Sequence, residues 1–303
     1  MSREQGFSVM EVMIAAALGL AVIAVALELL GGVRQNQQLI QAHERLNQNA
    51  RLAADWLRGA LRQAGYPGCP RSAWRVLSPV GETTATPAVA ATVAEGGAPG
   101  SDAMALQRLR SVGTAAVRSG VADGARIALD RPHGIAPQQL VLAVFDHGAH
   151  CVLFRHVGQA PDVLDRGPGA DGTGNRVPQA GYLPVSGRIE LFVPERVVYF
   201  VAPASHATGV NSLYRRRRSA GGRREELVVG VADLQIRYGV DADADGAVEG
   251  FREAAAVIDW REVSAVELTM RVGARQHASL PLVEPDGLYR SLQLVVRLRN
   301  AGP

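Results

Sequence analysis

Two groups of residues have the types and spacing to do chemistry. The first is Glu11, a carboxylate at the head of an apolar run, Val12 to Leu27, that holds no other charge. A carboxylate at membrane depth costs several kcal/mol unless it is partnered, so a charge there marks a function. Opposite charges that are each costly in lipid offset one another when they dock, so the chemistry on offer is a charge-pairing contact with another molecule. The second group is Asp241-Ala242-Asp243-Ala244-Asp245-Gly246. Alternating aspartates converge around one point while glycine makes the turn, the first half of an oxygen-rich calcium loop. The bidentate Glu of an EF-hand belongs at the twelfth position, which here is Arg252, so Glu249 or Glu253 would have to substitute. Calcium binding and a solvated polar turn both remain open.

Other constellations are weaker. His147, His150 and His156 are loosely spaced for a metal, but on a strand 147 and 150 point to opposite faces. Six arginines, Arg215 to Arg218 with Arg223 and Arg224, crowd one hairpin tip. They could meet phosphates. With only Tyr214 to stack on a base, a solvated or salt-bridged tip is the better reading and nucleic acid is not expected. The chain has no G-x-S-x-G, Walker or G-x-G-x-x-G motif, and no catalytic signature. Lys and Arg total 32 against 29 acidic residues, so net charge points to no class of partner. Cys69 and Cys151 both follow the apolar segment. An even count in an exported domain suggests one disulfide, against two buried thiols. Its long loop would contribute on the order of 4 kcal/mol, less any strain.

These residues need elements to position them. Phe7 to Leu30 is long enough to cross a bilayer if Glu11 is neutralised and Glu28 lies at the interface. Beyond it, Leu39, Leu46, Ala50, Ala53, Leu57 and Leu61 form one apolar stripe. The pattern predicts a single helix from Phe7 to about Ala64, weakened at Gly31-Gly32 and stopped at Gly65-Tyr66-Pro67-Gly68. Residues 79–103 read as an irregular connection and 158–188 as a Gly/Pro/Asp-rich loop. Strands are predicted at 139–145, 151–154, 189–200, 213–214 and 227–229, and around 266–272 and 292–298. A long helix followed by strands makes the fold class α+β, with the helix packed on a largely antiparallel sheet.

The Met1-Ser2-Arg3-Glu4-Gln5-Gly6 leader, Phe7, Glu11 and the apolar helix resemble the class III signal of type IV prepilins. That resemblance implies cleavage between Gly6 and Phe7 and methylation of Phe7 by a prepilin peptidase. Gly65-Tyr66-Pro67-Gly68-Cys69, Glu226 to Asp241 with its Tyr-Gly-Val-Asp end, and Trp260 ahead of a Val-rich strand resemble the PilW family of minor type IV pilins. The resemblance implies a leader at 1–6, a helix at 7–64 with its membrane span at 7–30, and a periplasmic or extracellular domain at 65–303. It implies a structural subunit, not an enzyme, that helps start pilus assembly and could sit near the fibre tip. Its partners would be other minor pilins, the major pilin and, before assembly, the inner membrane. Glu11 would pair with a neighbouring subunit's N-terminal amine. The alternatives are a J-type pseudopilin of type II secretion, or a membrane-anchored calcium-dependent adhesin or DNA-uptake module. Adhesion, DNA uptake and twitching motility are equally compatible uses of such a fibre.

Overall fold

The structure, a computed structural model, describes residues 9–65, 74–76, 88–118, 125–145, 150–168, 174–175, 187–217, 219, 221–273 and 289–299. Helix α1 runs unbroken from Val9 to Gln63. Gly31 and Gly32 do not interrupt it: they are intrinsically weak helix formers, but both lie inside a continuous run of good ones. Its end is where glycine and proline predicted it. Gly65 adopts a positive φ of 65°, and its N–H is satisfied by the Gln107 carbonyl at 2.8 Å rather than by the helix.

The sequence after α1 forms strands. They are β1 (Trp74–Val76), β2 (Val89–Thr92), β3 (Ala103–Val117), β4 (Arg126–Ala128), β5 (Leu140–Phe145), β6 (His150–Arg155) and β7 (Val163–Asp165). Then follow β8 (Gly187–Pro203), β9 (Asn211–Arg217), β10 (Arg224–Val229), β11 (Val231–Val240), β12 (Gly250–Arg252), β13 (Val263–Gly273) and β14 (Tyr289–Arg297). Among the described residues these make an eight-stranded sheet, a four-stranded sheet in the order β12-β11-β13-β14, and the small β4-β7 pair. Pairing is antiparallel except between β1 and β6. The α+β architecture with a largely antiparallel domain is therefore as the sequence pattern predicts.

Strand β8 is the spine of the larger sheet. One edge pairs with β3 from Gly187 to Phe200; the other pairs with β5 at Ile189 to Phe192 and with β9 at Val197 to Pro203. The two halves serve two cores. Met104, Leu106, Val197, Tyr199 and Val201 join a core shared with α1 and the four-stranded sheet. Ala115, Val117, Ile189, Leu191 and Val193 join a second core with β5, β6 and the β4-β7 pair. Between them the β3–β8 register slips by one residue at Ser111–Gly113, with Gly113 at a φ of 137°. A bulge of that kind lets one strand bend from one core to the other.

The second half of α1 supplies the wedge between the sheets. Leu46, Ala50, Ala53, Leu57 and Leu61 are all buried, with Ala54 and Ala64 beside them, and only Leu39 of the predicted stripe stays half-exposed. Alanine at four of these positions lets the helix backbone lie close to the strands, and each buried leucine contributes roughly 1.5–3 kcal/mol. Asn49 Nδ2 adds a hydrogen bond to the Val229 carbonyl at 2.9 Å, where β10 hands the chain to β11.

Two predicted loops need correction, and one strand was not predicted. The 79–103 connection contains β2, whose Val89 is fully buried against Leu106. The 158–188 loop contains β7, paired with β4. Strand β3 carried no signal in the sequence. Its first four residues are buried together, and its middle is half-exposed through Gln107, Arg108 and Arg110, so neither face alternates cleanly.

Candidate functional site

The first half of α1 is a candidate assembly surface. Glu11 stands in the first turn of the described helix, with its side chain exposed. Val9, Met13, Leu18 and Ile23 around and beyond it are exposed as well, Val9 to 78%. This segment is long and apolar enough to cross a membrane, and none of it is buried among the described residues. An apolar helix that bare needs lipid or other helices around it. Gly6 and Phe7, the predicted processing site, lie outside the described residues.

The aspartate motif forms the loop 241–249 between β11 and β12. Val240 pairs with Gly250 at its base. One ligand oxygen from each of Asp241, Asp243, Asp245 and Glu249 falls within 4.8 Å of all the others. Glu249 is thus the fourth member; Glu253 instead precedes a single 3-10 turn, Ala254–Ala256. The aspartates are not equivalent. Asp243 and Asp245 are exposed, whereas Asp241 is only 5% exposed. Backbone N–H groups wind the loop around the carboxylates: Gly246 N donates to Asp241 Oδ2 at 3.1 Å and Asp245 N to Asp243 Oδ1 at 3.2 Å. Ala247 N donates to Asp245 Oδ1 at 2.6 Å, and Ala242 N to both Glu249 oxygens at 3.2 Å. The Glu249 carboxyl is held below its ordinary range, first by its own backbone N–H and further by that of Ala242. Gly246 turns the chain at a φ of 86°, a conformation that favours glycine. Its carbonyl accepts from Arg297 of β14.

The Tyr-Gly-Val-Asp segment positions this loop. Tyr238 is buried edge-to-face against Trp260, ring centroids 4.7 Å apart. A Cβ on Gly239 would lie 2.9 Å from Val248 Cγ1, 3.0 Å from Phe251 Cε1 and 3.1 Å from Ala265 Cβ. Glycine there is what lets the loop and β12 close over the sheet. Val240 pairs with Val263, and the Asp241 N–H donates to the Glu262 carbonyl at 2.9 Å.

Cys151 is buried in β6 and is not a free thiol. Cys69 lies outside the described residues. Strand β1 begins five residues after Cys69 and pairs Trp74 with Cys151.

The arginine hairpin is largely occupied by the protein itself. Arg215 donates to both Glu225 oxygens, at 2.8 and 2.9 Å, and its guanidinium lies 5.1 Å from the Trp56 ring centroid on α1. This pairing holds the Glu225 carboxyl below its usual range. Arg217 adds a 3.2 Å contact to Glu225, Arg216 donates to the Glu95 carbonyl and covers Phe200, and Arg224 covers Tyr214. Arg223 is exposed, and Arg218 lies outside the described residues. The histidines do not assemble as spaced. His147 lies outside the described residues and His150 is exposed, while His156 is buried 4.8 Å from His133, a partner the sequence did not single out.

Residues 198–300 match the profile of the PilW family, Type IV Pilus-assembly protein W. The match begins within β8 and takes in β9, β10 and the whole four-stranded sheet with its acidic loop. It bears out the resemblance drawn from Glu226 to Asp241 and Trp260. No curated protein and no solved structure matches the chain.

Proposed function

We propose that this chain is a minor pilin of the type IV pilus, a structural subunit that helps initiate fibre assembly. One observation carries the reading: a single helix whose first half is bare and apolar continues without a break into a second half wedged into a β-rich domain. Such a helix can be held in lipid and then transferred sideways into a bundle of like helices, carrying its domain outward. The PilW match over the domain's C-terminal part supports pilus assembly as the setting. Residues 1–6 are the leader in this proposal, cut between Gly6 and Phe7 by a prepilin peptidase that methylates Phe7. Glu11 then pairs with the amine of a neighbouring subunit's first residue, which brings two charges through lipid as a neutral pair. The partners are other minor pilins and the major pilin. A position at or near the fibre tip suits a domain this large, which there needs neighbours on one side only.

The test is Glu11→Val in the full chain, expressed in its own host. The variant inserts and is cleaved, because the apolar helix is intact, but it is lost from sheared fibres and piliation falls. Intact mass of the wild-type protein shows loss of residues 1–6 plus one methyl. Unchanged piliation with unchanged recovery in fibres overturns the role of Glu11. A secretion defect with normal pili on gene deletion assigns the chain to a type II pseudopilin instead.

A further inference from the structure

We propose that the β11–β12 loop is a calcium site built by Asp241, Asp243, Asp245 and Glu249. The proposal stands independently of the pilus reading. Four carboxylates converge within 4.8 Å, and among the described residues none is ion-paired with an arginine or lysine. Convergence alone is common on surfaces. Asp241 sets this loop apart: it is 5% exposed, its Oδ2 is held by Gly246 N, and its Oδ1 is buried with no hydrogen-bond donor. A buried carboxylate oxygen without a donor is costly, and such oxygens are rare unless a ligand completes them. The three companion carboxylates face the same point and would repel Asp241 without a cation between them.

The donor set selects the ion. It is all oxygen, with no histidine or cysteine, which suits a hard cation. Magnesium keeps several of its waters and is usually held by one or two carboxylates, whereas calcium takes six to eight oxygen ligands. Four carboxylates on one loop fit calcium. The loop also departs from an EF-hand in a way that makes sense here. The twelfth position, Arg252, is already in β12 and paired with Tyr238, so the chain has left the loop before a ligand could be offered there. Glu249, the last residue before β12, supplies the fourth carboxylate instead. A bound ion would fix the β12 hairpin to β11 and, through the Gly246 carbonyl held by Arg297, to β14.

The full chain is purified in detergent and titrated with calcium chloride by calorimetry, and melted in calcium or in EDTA. One calcium binds. At a hundredfold excess over Kd the folding equilibrium rises about 100-fold, a shift in Tm of roughly 5 °C. Asp243→Asn and Glu249→Gln change exposed side chains, so both fold. Each weakens binding at least tenfold while leaving Tm in EDTA unchanged or higher, because repulsion is relieved. Absence of heat with equal Tm in calcium and EDTA overturns the site. So does an equal rise in magnesium, or a calcium-dependent rise that survives in the Asp243→Asn/Glu249→Gln double variant.

Discussion

At the scale of single residues, burial separates groups that look alike in the sequence. His156 and His150 are both histidines near one hairpin, yet His150 is exposed and His156 is buried, against His133 and Asp165. His156 Nδ1 accepts the Asp165 N–H at 3.2 Å, and His133 Nδ1 accepts that of Ile135 at 3.0 Å. The bond from Asp165 leaves the His156 ring unprotonated at Nδ1. Desolvation, followed by the nearby His133, pushes the His156 pKa below its ordinary value of 6.5; Asp165 opposes this only in part. A folded-state pKa below the unfolded one means that the unfolded chain takes up more protons in that window. Stability from this residue is therefore complete above about pH 6.5 and declines as pH falls toward the lowered value. Thermal melts of the full chain at pH 7.5 and 5.5 should show a lower Tm at 5.5, and His156→Gln should flatten the slope. Carboxylate titrations fall mainly below this window, as for Asp259, held at about 2 by Arg261. Equal Tm at both pH values would mean that the ring is not desolvated as packed.

At the scale of elements, one constraint joins the segment after α1 to β6. The short strand β1 is parallel to β6, and its first residue is opposite Cys151. That register brings the segment just after Cys69 to the strand that holds the second cysteine, so we expect Cys69 and Cys151 to be bonded. Such a bond ties the helix end to β6, on the face where Cys151 packs with Leu142, Val144 and Leu153. Non-reducing peptide mapping should recover the linked pair. Reduction, or Cys69→Ser, should lower stability by up to about 4 kcal/mol, the size expected for a long closed loop. Two freely alkylated thiols in extracytoplasmic material would remove this tie. The same scale explains the glycine pair in α1. Gly31 and Gly32 have nothing within 4 Å of an added Cβ and lie in the exposed part of the helix, about four turns before Leu46, its first buried residue. They weaken the helix within its bare half without breaking it.

At the scale of the whole molecule, the two halves of α1 belong to different environments. Residues 9–34 are exposed throughout, whereas Leu46 to Ala64 are part of the main core. Removing residues 1–34 should therefore convert a detergent-requiring protein into a soluble monomer. Its Tm should stay within a few degrees of that of the full chain, because no core contact is lost. Aggregation of the truncated chain, or a drop in Tm of ten degrees or more, would show that the bare half also supports the domain.

The sequence alone determined whatever depends on neighbours along the chain. The charge-free run after Glu11, the 3.6-residue stripe of α1, its glycine–proline stop and the alternation of β13 are local patterns with one physical solution each. The alternating aspartates likewise announced an oxygen-rich turn. Tertiary structure decided what depends on distant partners. It chose Glu249 over Glu253, because β12 pairs back on β11 immediately after residue 249. It buried Asp241 and left Asp243 and Asp245 in solvent, because only the first aspartate lies under the return of the chain at Glu262. It divided the strands between two cores and set His133 against His156, contacts that no spacing in the sequence encodes. Burial is a property of the assembled fold, and a residue's charge or reach becomes a function only once burial has been assigned.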